Sequence, residues 1–231
     1  IMGGRVGSIT TDIIADGLVF NMDAANRASY IEFADKAYNT LDLSVSGSIY
    51  NDPSGSLGSP KAWDFDGVDS YIKYNTTLPG AITFTTIGKS SNTNWNEYAG
   101  LGSSRTSNGF ILHNNPSATT VAFYIYNSGA SFLSLGSITP SDIEDFNFYT
   151  LSSNGSNLHK VYLNGELKIT NTTTHNRNMS GINQNVNLGL DTGVRYNDIK
   201  ISNNYFYNTQ LSDSEVLHNY NALKGRFGLW N

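Results

Sequence analysis

The sequence contains no cysteine, little charge and no long apolar run. Without cysteine, neither a disulfide nor a thiolate metal site can stabilise the fold. The chain also lacks the roughly 20 consecutive apolar residues of a membrane helix, and its net charge is −5 with no basic run. We therefore expect no membrane insertion and no electrostatic binding to nucleic acid. The N-terminus has neither the charged start nor the apolar core of a secretory signal, so we expect a soluble protein made in a cytoplasm.

The sequence has few charged residues, and most of its other polar residues are small. Only 14% of the 231 residues are charged, and the other polar positions are mostly Asn, Ser, Thr and Gly. These residues form turns through local hydrogen bonds, and Gly and Asn tolerate positive φ. The composition favours turn-rich β structure over a helical bundle, and the length suits one ordinary β domain or two small ones.

The C-terminal region has the clearest local pattern. Residues 198–202 alternate between polar and apolar, which predicts a strand with Ile199 and Ile201 facing a core. The aromatic run at 205–207 extends the strand. A break at residues 208–210 then separates this strand from a predicted helix.

That helix is predicted to begin after Ser212. Ser212 and Glu215 have capping-box spacing, and Leu211 and Val216 are placed to form a hydrophobic staple. Gly225 is expected to end the helix in a left-handed conformation. Apolar residues at helical spacing predict the buried stripe, which consists of Val216, Leu217, Tyr220 and Leu223.

Two Gly-containing turns predict β-hairpins. Asn164-Gly165 fits a type I′ turn and predicts a hairpin over residues 161–169, and Asp66-Gly67 predicts another over residues 62–74. Alternation predicts neighbouring antiparallel strands at 110–113 and 120–126, and composition predicts a loop over 90–109. The remaining predicted strands are residues 18–22, with Leu18, Phe20 and Met22 on one face, and residues 48–50, 81–87, 146–151 and 185–190.

Four stretches of the sequence, taken together, resemble those of a known domain family. They are residues 16–26 (DGLVFNMDAAN), 62–74 (AWDFDGVDSYIKY), 161–169 (VYLNGELKI) and 207–228 (YNTQLSDSEVLHNYNALKGRFG). Together they resemble concanavalin A-like, laminin G-like jelly-roll domains. The set is most similar to the versions found in structural proteins of tailed bacteriophages, marine phages especially.

The resemblance implies an all-β fold, a two-sheet antiparallel jelly-roll sandwich with one short C-terminal helix. The jelly-roll domain would cover residues 12–231 and follow an N-terminal arm at residues 1–11. The arm includes Arg5, Val6 and Ile9 and has too little apolar mass to pack as an element. It is predicted either to fray as a chain end or to dock on a partner.

Aromatic residues near polar stretches suggest a carbohydrate site. Trp95 and Tyr98 lie within a region rich in Asn and Ser, and Tyr124 and Tyr126 share the outward face of a predicted strand. A ring face packs on the apolar face of a sugar, while amides bond its hydroxyls. Two alternatives stay open: Trp95 and Tyr98 cap the core beneath a loop, and Tyr124 and Tyr126 form ordinary strand surface.

The sequence contains no recognisable catalytic constellation. A β-glucanase needs acidic residues two or three apart on one strand face, whereas Glu144 and Asp145 are adjacent. Asp64, Asp66 and Asp69 have the ligand type of a calcium site, but Asp-Gly is first of all a hairpin signal. We expect a non-enzymatic protein with no cofactor and no metal site.

Two functional hypotheses follow. The resemblance implies a virion structural protein, a capsid decoration or head-fibre subunit at the phage virion surface, with capsid or other virion proteins as partners. The alternative is a carbohydrate-binding adhesion module, on a tail fibre or secreted, that recognises cell-surface glycans. A homo-oligomer is compatible with both hypotheses.

Overall fold

The computed structural model describes eleven stretches of the chain. They are residues 13–24, 50–51, 62–67, 71–77, 80–90, 97–101, 109–115, 120–126, 132–174, 183–189 and 197–227. The predicted N-terminal arm, with Arg5, Val6 and Ile9, lies outside these stretches, and so does Trp95.

Strands make up most of the described residues. In chain order they are β1 (Leu18–Asp23), β2 (Tyr50–Asn51), β3 (Trp63–Asp66), β4 (Ile72–Thr77), β5 (Ile82–Ser90), β6 (Glu97–Leu101), β7 (Gly109–Asn115), β8 (Thr120–Tyr126), β9 (Phe132–Ile138), β10 (Asn147–Ser153), β11 (His159–Leu163), β12 (Glu166–Asn171), β13 (Asn183–Leu188) and β14 (Asp198–Tyr207). Helix α1 (Asp213–Leu223) follows, with a 3-10 turn at Lys224–Phe227. Neither of these helical segments is long and apolar enough to cross a membrane.

The strands form two antiparallel sheets. In the larger sheet the described strands run β12-β11-β10-β5-β14-β3-β2, and β1 also pairs with β14. β1 and β3 share one edge of β14, where β1 pairs with residues 203–207 and β3 with residues 198–201. The smaller sheet has the order β4-β13-β6-β7-β8-β9. The long strand β14 therefore joins three others within the larger sheet.

An apolar core fills the space between the sheets. Ile199 and Ile201 point into it as alternation predicts, and each is at most 1% exposed. Phe84 of the larger sheet and Phe110 of the smaller meet edge to face, with ring centroids 4.4 Å apart. The all-β, two-sheet sandwich with one short C-terminal helix is thus confirmed.

A second apolar cluster lies on the outer face of the larger sheet, beneath α1. Tyr205 and Tyr207 of β14 pack there with Val216 and Tyr220 of the helix. Burial raises the pKa of both β14 tyrosines well above its ordinary value. The helix therefore covers a face of the sheet that would otherwise expose aromatic rings.

The start of α1 is as predicted. The Ser212 hydroxyl accepts a hydrogen bond from the Glu215 backbone N–H, and the Glu215 carboxylate accepts one from the Ser212 backbone N–H at 2.8 Å. Leu211 and Val216 are both buried in the cluster beneath the helix, where the staple places them. The capping box is therefore confirmed.

Two predictions about the rest of α1 are wrong. Leu217 is 46% exposed, whereas Asn219 is buried and donates to the Tyr207 hydroxyl. Residues one apart on a helix do not share a face, so Leu217 cannot follow Val216 onto the sheet. Gly225 does not end the helix, because Lys224 keeps right-handed helical angles and leads into the 3-10 turn.

The predicted hairpin over residues 62–74 is also wrong. β3 pairs with β14 and β2 in the larger sheet, whereas β4 pairs with β13 in the smaller one. Gly67 does turn the chain, with φ 74°, but the turn directs it across the sandwich. An Asp-Gly turn signal does not specify which sheet receives the next strand.

Two further strand predictions need correction. The pairing of β1 shifts between Leu18 and Phe20, so Leu18 packs in the cluster beneath α1 while Phe20 and Met22 enter the sandwich core. An extra residue in one strand reverses the alternation. Residues 97–101 form β6, although the polar composition of residues 90–109 predicts a loop.

Candidate functional site

Three aromatic side chains lie together on the outer face of the smaller sheet. They are Tyr124 and Tyr126 of β8 and Phe132 of β9, which we call the ring patch. Side chains alternate along a strand, so Phe123 and Ile125 enter the core while Tyr124 and Tyr126 point outward, as predicted. Phe132 is the register partner of Tyr126 and therefore lies on the same face.

The three rings contact one another. The Tyr124 centroid lies 6.4 Å from that of Tyr126 and 5.6 Å from that of Phe132, and Tyr126 and Phe132 are 5.7 Å apart. His113 of β7 stacks on Tyr124 with 5.1 Å between centroids and 3° between ring planes. His113 therefore fixes the orientation of the Tyr124 ring.

The side chains on this face become more exposed from β7 across the sheet to β9. His113 is 8% exposed, Tyr124 and Tyr126 are partly exposed, and Phe132 is 56% exposed. Ile111 shares this face and is 2% exposed. β9 is the last described strand of the smaller sheet, and its Phe132 is the most exposed of these side chains.

A polar group accompanies the rings. Ser134 of β9 is the register partner of Tyr124 and is exposed on the same face. The site thus combines ring faces with the hydroxyls of Ser134, Tyr124 and Tyr126. This combination can pack on the apolar face of a sugar and hydrogen-bond its hydroxyls.

Three of the four sequence-predicted carbohydrate residues belong to this sheet. Tyr124 and Tyr126 form part of the ring patch, and Tyr98 lies in β6, on the opposite side of β7 from β8. Two strand spacings place the Tyr98 backbone about 10 Å from β8. The side chain of Tyr98 and all of Trp95 lie outside the described residues, so the predicted part of these two in binding stays a prediction.

Sequence reasoning missed Phe132. Phe132-Leu133-Ser134-Leu135 alternates as a strand does, with Leu133 packed on the core and Phe132 outside. The Ser and Gly residues around this run conceal the pattern. The period of two is enough to predict β9, but only the pairing of β9 with β8 places Phe132 beside the two tyrosines.

Of the three aspartates with the ligand type of a calcium site, Asp64 has a described side chain, and that side chain forms an ion pair. Asp64 of β3 forms an ion pair with Lys200 of β14, with 2.5 Å between Oδ2 and Nζ. The Asp66 side chain and Asp69 lie outside the described residues. Within the described stretches, no group of three or more His, Asp or Glu could hold a metal ion.

No protein-family model and no curated protein sequence matches the chain. Solved structures of botulinum neurotoxin binding domains do match. The serotype D ligand-binding domain in complex with N-acetylneuraminic acid has a TM-score of 0.66 and 15% identity, covering 89% of this chain and 50% of that one. A structure of botulinum neurotoxin type C has a TM-score of 0.64 and 13% identity, and the alignment covers 90% of this chain and 51% of that one. Cell entry of that toxin depends on interaction with two ganglioside molecules.

A third match is the binding domain of neurotoxin DC in complex with rat synaptotagmin II. Its TM-score is 0.65 with 11% identity, and the alignment covers 90% of this chain and 52% of that one. The chain thus spans about half the length of these domains. At such identities the likeness concerns the fold alone, and it agrees with the two-sheet sandwich described above.

Proposed function

We propose that the chain is a non-enzymatic carbohydrate-binding module whose ring patch contacts the sugar. The observation that carries this proposal is the mutual contact of three rings on a sheet face, one of them 56% exposed. Because β8, β9 and the His113 stack hold the rings in place, little side-chain entropy is lost when a ligand binds.

The size of the ring patch favours a sugar over a protein partner. A standard protein interface buries about 800 Å² on each side, whereas one aromatic side chain buries about 150–250 Å² even when fully covered. Tyr124 and Tyr126 are already partly buried, and Ile111 and Ala122 on the same face are each 2% exposed. The accessible rings therefore match one or two sugar units better than a protein surface.

The neurotoxin neighbours support a binding role. One of them is a domain in complex with N-acetylneuraminic acid, and cell entry of another, the type C toxin, depends on interaction with two ganglioside molecules. Their ligands belong to proteins about twice as long as the matched region, so the glycan array below tests several classes of sugar.

A glycan array probed with the full chain tests the proposal. It should include neutral, amino and sialylated oligosaccharides, and the best ligand should then be titrated by calorimetry. Phe132→Ala and Tyr126→Ala are expected to weaken binding by about tenfold or more, because each removes a ring face. Leu217→Ala is the matched control, since Leu217 is an exposed apolar residue on α1, which covers the other sheet.

Two outcomes would reject the proposal. The first is an array on which no glycan retains the chain. The second is an equal loss of affinity in Leu217→Ala and Phe132→Ala, because the ring patch would then have no special part.

We also propose that this module is displayed on the surface of a phage virion. The proposal rests on the resemblance carried by residues 16–26 and 207–228, which contribute to β1 and to the end of β14 with α1. Mass spectrometry of purified particles should find the chain, at a copy number near that of the capsid protein for a decoration subunit and far lower for a fibre. Deleting residues 1–11, with Arg5, Val6 and Ile9, should release it, and absence from particles would refute a virion role.

A further inference from the structure

A groove of about 520 Å³ lies at one end of the sandwich, away from the ring patch. Its sides are the loop after β9, which carries Asp145 and Phe146, and the start of β12, which carries Glu166 and Lys168. Its volume falls within the range of small-molecule sites, about 300–1,000 Å³. We call it the end groove.

Two asparagines join the sides of the end groove. The Asn164 side chain donates to Asn147 Oδ1 at 3.0 Å and accepts from the Phe148 backbone N–H at 2.9 Å. The Asn147 amide in turn donates to the backbone carbonyls of Asp142 and Asp145, at 2.8 Å and 2.9 Å. These bonds tie the loop after β9 to the β11–β12 turn, so the groove keeps its shape without a ligand.

The β11–β12 turn has the predicted geometry, and α1 packs against its outer side. Asn164 and Gly165 both have positive φ, 52° and 79°, as a type I′ turn requires. A Cβ on Gly165 would lie 2.9 Å from the Tyr220 side chain of α1. The helix therefore buttresses the turn, and a pre-formed site loses less free energy on binding than one that must be ordered.

Besides the partly exposed ring of Phe146, the side chains that line the end groove include charged groups of both signs. Asp145 and Glu166 are exposed carboxylates, and Lys168 forms an ion pair with Glu166, with 2.6 Å between Nζ and Oε2. Thr139 and Ser141 add exposed hydroxyls. Two carboxylates against one ammonium disfavour an anionic ligand, whereas acceptors and donors together suit adjacent hydroxyl groups.

We propose that the end groove is a second saccharide site, one that takes a neutral oligosaccharide and rejects sialylated ones. The carboxylates of Asp145 and Glu166 accept hydrogen bonds from sugar hydroxyls, and Lys168 donates one. Charge-assisted hydrogen bonds of this kind are stronger than neutral ones. The choice of ligand class rests on the proposed carbohydrate-binding function, but the groove shares no residue with the ring patch.

The two sites lie at opposite ends of one strand. Phe132 begins β9 and Thr139 follows its last residue, a separation of about 20 Å along an extended chain. A long glycan could therefore occupy both sites at once, and the second contact would then be intramolecular and strengthen binding.

NMR titration of the full chain with short neutral oligosaccharides tests this proposal. Laminarihexaose, mannohexaose and chitohexaose are suitable probes, with sialyllactose as the anionic control. At least one neutral probe should shift the amide signals of Gly165, Glu166 and Lys168, and sialyllactose should leave them in place. If no neutral probe shifts them, or if sialyllactose shifts them equally, the proposal is overturned.

Variants separate this proposal from the one for the ring patch. Asp145→Asn and Glu166→Gln should each weaken the groove response by about tenfold, as expected for loss of a charged hydrogen bond. Glu144→Gln is the matched control, because Glu144 is an exposed neighbour that does not line the groove. Equal effects of Glu144→Gln and Asp145→Asn would refute the assignment. Phe132→Ala should abolish only the shifts near β8 and β9, so either site can fail without the other.

Discussion

The ring of Phe132 lies edge to face against Tyr124, with centroids 5.6 Å apart and 69° between the ring planes. Strand pairing produces this contact, because Tyr124 is opposite Ser134 and Tyr126 is opposite Phe132. A slip of one residue between β8 and β9 would turn Phe132 towards the core. The ring patch therefore depends on the register of two strands as much as on its composition.

The first prediction concerns the chemistry of Phe132. Phe132→Leu keeps an apolar side chain but removes the ring face, whereas Phe132→Tyr keeps the face. We expect the leucine variant to lose about tenfold in glycan affinity and the tyrosine variant to stay within about twofold. Calorimetry with the best array ligand measures both, and similar losses in the two variants would contradict ring stacking.

The second prediction concerns acid. The Ser212 side chain and backbone N–H both donate to Glu215 and hold its pKa below its ordinary value of 4.5. Hydrogen bonds from Lys160, which has the larger effect, and from Tyr162 lower the pKa of Asp213 below its ordinary value of 3.8. A lowered pKa stabilises the fold above the ordinary value, and this stabilisation is lost as the pH falls through the lowered one.

The unfolding free energy should accordingly decrease below about pH 4.5. Asp213 is exposed and Glu215 is partly exposed, so water screens both carboxylates and the share of each is about 1 kcal/mol or less. Urea unfolding of wild type and Glu215→Gln across this range checks the prediction. The difference between the two proteins should shrink as the pH falls, and a constant difference would show that the capping carboxylate does not titrate as described.

Local signals in the sequence predicted local structure well. The Ser212–Glu215 spacing gave the helix start, and Asn164-Gly165 gave the β11–β12 hairpin, because each depends on a few adjacent residues. Alternation likewise put Tyr124 and Tyr126 on the outer face of β8. These two residues were the part of the candidate site that the sequence could reveal.

Long-range structure was harder to predict. Asp66-Gly67 marks a turn but does not show that β4 enters the other sheet, and the shift after Leu18 depends on its pairing with β14. Phe132 joins the ring patch only through pairing with β8. The end groove brings the loop after β9 against the β11–β12 turn, a contact that no local pattern encodes.

The third prediction concerns Asn164. Asn164→Gly keeps the positive φ but loses the hydrogen bonds to Phe148 and Asn147, so we expect about 1–2 kcal/mol of destabilisation. Asn164→Ala adds the strain of a left-handed residue with a Cβ, about 1 kcal/mol more. Urea unfolding should rank wild type above Gly and Gly above Ala. Asn157→Ala, at an exposed turn, should change little, and equal stability of the Gly and Ala variants would contradict the turn geometry.

The last prediction concerns alkali. Burial raises the pKa of Tyr162, Tyr205 and Tyr207 well above the ordinary value of 10.0. A raised pKa means that the stabilisation is complete below pH 10.0 and is lost as the pH rises towards the folded-state value, because the unfolded chain releases these protons first. Each such tyrosine should lower the unfolding free energy by up to about 1.4 kcal/mol per pH unit in that range. Tyr205→Phe removes one of the three groups and should make the decline shallower, as measured by urea unfolding and tyrosinate absorbance. Tyr162 belongs with Tyr205 and Tyr207 to the cluster beneath α1. If tyrosinate absorbance reached its full value before any loss of folded structure, these three rings would not be buried there.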